Sequence, residues 1–140
     1  MISIISSILG TLGFCAILNV PKRKIIWVII GAAISASIFE VLYSFEKFSI
    51  FTATMLAAMA IGIYSEIMAR KTKTPATVIL LPSTIPLLPG GSLYYAMSYL
   101  VAGNHESFAQ YAAETISTGC GIAVGAIVTS IALKLILHRH

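Results

Sequence analysis

The strongest constraint on this chain is a series of long apolar runs interrupted by short basic clusters. The clusters are Pro21-Lys22-Arg23-Lys24 and Arg70-Lys71-Thr72-Lys73, and apolar stretches of about 20 residues flank them. A helix of about 20 apolar residues crosses the hydrocarbon core of a bilayer, which is ~30 Å thick. The pattern therefore predicts a polytopic helical membrane protein with an all-α fold.

Charged residues are too scarce to cover a soluble domain of this size. Nine Lys or Arg and five Glu make up 10% of the 140 residues, whereas soluble domains are about 25% charged. The sequence contains no Asp, no nucleotide-binding glycine motif and no His or Cys spacing typical of a metal site. We therefore expect a protein that is not an enzyme, binds no nucleic acid and needs no cofactor or metal.

The apolar runs predict about five transmembrane segments within one integral membrane domain, residues 1–140. The segments are residues 1–20, 25–44, 50–69, 76–101 and 108–137. Eight of the nine Lys and Arg residues fall on one side of this arrangement, and only Lys47 falls on the other. The positive-inside rule then predicts the cytoplasmic (inner) membrane, with the N-terminus outside and the C-terminus inside.

The fourth segment cannot form one regular helix. Its middle contains Pro82, Pro86, Pro89, Gly90 and Gly91. Each proline removes a backbone donor and clashes with the preceding turn, and a broken helix exposed to lipid is strongly unfavourable. We expect two half-helices that together cross the membrane once, because this places Arg139 inside. A re-entrant hairpin is the alternative.

The break is the predicted binding site. Secondary transporters bind substrates near the bilayer midplane, at the ends of discontinuous helices. A half-helix that starts at Gly90-Gly91-Ser92 would present free backbone N–H groups, which favour an anion such as a carboxylate. Nearby hydroxyl groups belong to Ser83, Thr84, Ser92, Tyr94 and Tyr95. The alternative interpretation is a kinked helix that serves packing alone.

Three carboxylates fall within apolar runs, where a charge is costly and often functional. They are Glu40, Glu66 and Glu114. Glu114 and Glu40 are the candidates for proton coupling, and the alternative for each is a side chain that reaches the aqueous interface.

The run from Leu81 to Tyr95 resembles the P-x-x-x-P-L-x-P-G-x-x-x-Y stretch of the threonine/serine exporter family. The similarity is to the small-subunit form, which corresponds to the C-terminal membrane half of the full-length exporter. The motif residues are Pro82, Pro86, Pro89, Gly90 and Tyr94.

This resemblance implies a secondary exporter of small carboxylate-bearing metabolites, threonine and serine or a dicarboxylate such as succinate. It also implies a larger membrane subunit of the same family, and a homo-oligomer is the alternative. The predicted substrate-binding residues are Ser83, Thr84, Pro86, Pro89, Gly90, Gly91, Ser92 and Tyr94. Two other functions stay open: a structural or assembly subunit, and a homo-oligomeric channel.

Overall fold

The structure, a computed structural model, describes residues 2–44 and 48–137, which form helices joined by short turns. The helices are Ile2–Ile17 (α1), Lys22–Ser44 (α2), Ile50–Thr72 (α3), Thr77–Ser83 (α4), Gly90–Val101 (α5) and His105–Leu137 (α6), with a 3₁₀ turn at Ile85–Leu87. No β-strand occurs among the described residues, so the predicted all-α fold is confirmed. Lys47 and Arg139, which entered the charge count, lie outside them.

Three of the described helices are long and apolar enough to cross a membrane. They are α2, α3 and α6, and the bent pair of α4 and α5 adds a fourth crossing if it forms one span. Helix α1 has 16 residues, about 24 Å at a rise of 1.5 Å per residue, which is short for a bilayer core of ~30 Å. The predicted number of about five spans is therefore approximate.

The first basic cluster lies in the first turn of α2, not in the loop that precedes it. Lys24 Nζ donates to the backbone carbonyl of Thr72 at 2.9 Å, near the end of α3. Terminal helix carbonyls lack intrahelical partners, and cations near them interact favourably with the helix dipole. Arg70 and Lys71 occupy the last turn of α3. Both basic clusters therefore lie at one end of the bundle.

Helices α3 and α6 run parallel and form the most extensive pairing in the bundle. A Cβ on Gly121 would lie 2.8 Å from the carbonyl oxygen of Phe51, and one on Gly125 would lie 2.6 Å from that of Met55. Real Cβ atoms do not approach so closely, so only glycine permits this helix separation. Gly121 and Gly125 form a G-x-x-x-G pattern, which is typical of closely packed membrane helices.

Small side chains form the interior, whereas many large apolar side chains lie outside. Buried positions include Ala32, Ala36, Ala53, Ala57 and Ala58, and exposed ones include Leu9, Ile26, Ile127 and Leu135. Membrane helices pack through small residues because lipid tails solvate large apolar groups as well as protein does. The outward apolar faces are therefore suited to contact lipid.

Candidate functional site

The predicted break in the fourth segment is confirmed. Pro82 lies inside α4, Pro86 lies in the 3₁₀ turn, and Pro89 directly precedes α5. The two helices are bent by 51° relative to each other. The prolines end the regular hydrogen-bond ladder because they have no N–H to donate.

Ser83 is fully buried at the break, and its carbonyl group loses the partner that a regular helix would supply. The N–H of Leu87 would bond to the Ser83 carbonyl in a continuous α-helix, but it donates to Thr84 O instead. Ser35 Oγ on α2 donates to the Ser83 carbonyl at 3.0 Å, and Ser83 Oγ donates to Val28 O at 3.2 Å. The structure therefore places Ser83 between α4 and α2.

A cleft of about 190 Å³ lies beside the break and reaches α2, α3 and α6. Five of the predicted site residues line it: Pro86, Pro89, Gly91, Ser92 and Glu114. They come from the 3₁₀ turn, the start of α5 and the first half of α6. The fold thus brings Glu114 to the helix break, although 22 residues separate it from Ser92.

One hydrogen bond links the start of α5 to α6 within the cleft. Ser92 Oγ donates to Glu114 Oε1 at 2.9 Å. The N–H of Gly90 donates to Leu88 O at 2.8 Å. The N–H groups of Gly91 and Ser92 have no partner within the helix, and a helix N-terminus favours negative charge. Among the described residues that line the cleft, Glu114 alone carries an ionisable side chain. The start of α5 therefore faces a carboxylate that belongs to the protein itself.

A cluster of tyrosines joins α5 to α6 next to this pair. The rings of Tyr95 and Tyr99 lie 5.4 Å and 5.5 Å from the ring of Tyr111, between centroids. Aromatic pairs at such distances attract each other beyond simple apolar burial. Because Tyr111 precedes Glu114 by one helical turn, this packing fixes the start of α5 beside Glu114.

Five predicted site residues lie outside the cleft: Ser83, Thr84, Gly90, Tyr94 and Glu40. Thr84 Oγ1 donates to a carbonyl of its own turn at 2.8 Å. Gly90 is exposed, and the side chain of Tyr94 is 70% exposed. Glu40 is partly buried on α2, and its neighbour Phe39 lines the cleft instead.

The sequence interpretation missed five residues that line the cleft. They are Phe39, Ile50, Leu87, Leu88 and Thr118. Thr118 had a usable signal, because it follows Glu114 by four residues and therefore shares its helix face. Phe39 and Ile50 had none, because only the tertiary packing of α2 and α3 brings them to the break.

The cleft offers a carboxylate, a hydroxyl group and free backbone N–H groups within a small volume. These groups can hold a polar molecule that carries both a donor and an anionic acceptor, and the carboxylate can also hold a proton.

Comparison with known families gives one match that covers most of the chain. A family model described as "Threonine/Serine exporter, ThrE" matches residues 3–132. No solved structure matches the chain.

Proposed function

The chain belongs to the threonine/serine exporter family, and we propose that it is a subunit of a secondary active exporter of small carboxylate-bearing metabolites. Threonine and serine are the substrates we propose first, with a dicarboxylate such as succinate as the alternative. The observation that carries the proposal is the cleft at the helix break, where the start of α5 faces the carboxylate of Glu114.

The start of α5 is the proposed site for the substrate carboxylate. Gly91 and Ser92 line the cleft, and the free N–H groups of a first helical turn bind anions. Gly91 has no atom within 4 Å of a would-be Cβ, so a ligand can approach the backbone there. Pro86 and Pro89 restrict the backbone that leads into α5, which keeps the N–H groups in place.

Glu114 is the proposed proton carrier. An ionised Glu114 pairs with the ammonium group of a bound amino acid, and a proton takes its place once the amino acid has left. Proton and substrate then compete for one carboxylate, so inward proton movement drives outward substrate movement. Glu40 remains a second candidate, although it lies outside the cleft.

A larger membrane subunit of the same family is the proposed partner. Helix α5 makes its extensive contacts with α6, and its other face exposes Leu93, Met97 and Val101. Transporter sites often lie at the interface between two repeats or subunits. A partner on this side would complete the walls of the cleft.

The proposed orientation places both basic clusters in the cytoplasm, with the N-terminus outside. Lys24 and Arg70 lie at the same end of the bundle, which the positive-inside rule assigns to the cytoplasm. With Cys15 and Cys120 replaced by Ala, a membrane-impermeant thiol reagent should label Glu106→Cys in intact cells. Labelling of Lys71→Cys under the same conditions would overturn this orientation.

An efflux assay with matched variants tests the proposed site. Cells that lack the chain are complemented with Ser92→Ala or Glu114→Gln, and threonine and succinate efflux are measured. Losing a hydrogen bond to a charged group costs about 1.5–3 kcal/mol, so we expect efflux at limiting substrate to fall by roughly tenfold or more. The controls are Ser98→Ala on α5 and Glu106→Gln on α6, both exposed and outside the cleft.

Other outcomes of the transport assays would favour another site or one of the alternative functions. Normal efflux in both cleft variants means that the site is wrongly placed. Normal efflux after deletion of the whole chain favours a structural or assembly subunit. Passive, proton-independent flux through liposomes that contain this chain alone favours a channel.

A further inference from the structure

A second cavity, of about 230 Å³, lies between α3, α4 and α6, towards the other end of the bundle from the Ser92–Glu114 cleft. Its polar lining residues are Glu66, Thr77, Thr129, Ser130 and Lys134. A water molecule takes up roughly 30 Å³ of liquid, so the cavity holds a small metabolite but not a large one. Nothing in the proposed site at the helix break uses these residues.

The cavity contains both signs of charge. Glu66 lines it from α3 and Lys134 lines it from the last turn of α6. Glu66 forms an ion pair with Arg70 at 3.2 Å, and these two side chains are 31% and 55% exposed. Such partly exposed pairs are weak because water and salt screen them. The carboxylate of Glu66 can therefore exchange Arg70 for a cationic group of a ligand.

Two hydroxyl groups of α6 line the same cavity as Glu66 and add further acceptors. Thr129 Oγ1 donates to Gly125 O at 2.9 Å, and Ser130 Oγ donates to Ala126 O at 2.8 Å. Because each hydroxyl proton is used by a backbone carbonyl, and Thr129 shares its proton with a carbonyl of α3, each oxygen presents only its lone pairs to a ligand. The cavity thus offers acceptors for an ammonium group and a single ammonium donor, Lys134, for a carboxylate.

A wider vestibule of about 420 Å³ adjoins this cavity and shares Glu66 and Ala76 with it. Arg70 and Lys73 line the vestibule. These two cations outnumber the single carboxylate of Glu66 in the vestibule, and a surface with net positive charge attracts anionic groups. A ligand carboxylate would therefore meet the vestibule first, and Glu66 stands between the vestibule and the cavity.

We propose that the cavity between α3, α4 and α6 is a second substrate site that binds an α-amino acid zwitterion. Glu66, Thr129 and Ser130 accept from the ammonium group, and Lys134 donates to the carboxylate. Dicarboxylates are disfavoured because Glu66 repels a second anionic group. The inference rests on the proposed function in one respect: that function limits the ligand to small carboxylate-bearing metabolites.

Equilibrium binding of radiolabelled L-threonine tests this site, using the full chain in detergent with any subunit that copurifies. Measurements use the Glu114→Gln background, which disables the site at the helix break. We expect residual binding that Glu66→Gln and Lys134→Ala each weaken by about two- to fivefold, because each removes an ion pair that is partly screened by water. The matched controls Glu106→Gln and Lys71→Ala line neither cavity and should leave it unchanged.

Ligand analogues give a second measurement that needs no further variant. N-acetyl-L-threonine lacks the ammonium group, L-threonine methyl ester lacks the carboxylate, and succinate carries two carboxylates. All three should compete at least about tenfold less well than L-threonine in the Glu114→Gln background.

Three results would overturn the second site. The first is no residual binding of L-threonine in the Glu114→Gln background, and the second is residual binding that neither Glu66→Gln nor Lys134→Ala weakens. The third is competition by succinate that equals competition by unlabelled L-threonine. None of these three results would contradict the proposed function, because the dependence of efflux on Ser92 and Glu114 is measured separately.

Discussion

Two glycines on α6 differ in what a side chain would meet. A Cβ on Gly125 would lie 2.6 Å from Met55 O and 2.8 Å from the Cβ of Ala58, whereas one on Gly119 meets nothing within 4 Å. The backbone oxygen of Met55 cannot move without shifting α3 itself. Gly125 therefore sets the separation of α3 and α6, and Gly119 does not.

Gly125→Ala should destabilise the protein, and Gly119→Ala should not. Overpacking costs about 1–3 kcal/mol, so the free energy of unfolding in detergent should fall by that amount for Gly125→Ala. Gly119→Ala adds helix propensity and should raise it by about 0.5–1 kcal/mol. Thermal unfolding of the purified protein measures both, and equal effects of the two substitutions would refute the close contact.

At the residue scale, sequence spacing predicted which residues lie near the break but not where their side chains lie. Gly91, Ser92 and Glu114 line the cleft, as a helix start and a carboxylate within an apolar run suggested. Ser83 and Tyr94 come from the same motif, yet one is fully buried against α2 and the other is 70% exposed. These directions depend on the packing of α4 and α5 against the other helices and on the bend of 51° between them, and motif spacing predicts neither.

The broken element depends on a contact from a distant helix. Ser35 Oγ lies 2.9 Å from Ala32 O and 3.0 Å from Ser83 O, and it shares its proton between these carbonyls. The Ser83 carbonyl is the one that the N–H of Leu87 would bind in a continuous helix. Ser35 and Ser83 are both fully buried. Prolines in the sequence predicted that backbone groups would be freed, but not that α2 would supply the donor, 48 residues earlier.

Ser35→Ala should destabilise the broken element. An unsatisfied buried acceptor costs about 1–3 kcal/mol, and the free energy of unfolding should fall by this amount. Ser37→Ala, an exposed position on the same helix, should change it by less than about 0.5 kcal/mol. If the two variants unfold at the same temperature in one detergent, α2 does not stabilise the break.

For the whole molecule, charge placement predicted the membrane class, whereas helix pairing needed the structure. Basic clusters separate the apolar runs, and the structure brings Lys24 and Arg70 to one end of the bundle. The parallel pairing of α3 with α6 was not predictable, because no repeat in the sequence relates them and many arrangements satisfy the same apolar pattern. The predicted number of membrane spans was approximate because apolar composition alone does not give helix length, and α1 is apolar but short.

Counterflow in native membrane vesicles tests the transport function most directly. Vesicles from cells that contain the chain are loaded with unlabelled L-threonine, and uptake of radiolabelled L-threonine is followed with and without a proton ionophore. The cleft at the helix break predicts a transient accumulation of label that Glu114→Gln abolishes and Glu106→Gln preserves. Equal accumulation in wild-type vesicles, Glu114→Gln vesicles and vesicles without the chain would contradict it.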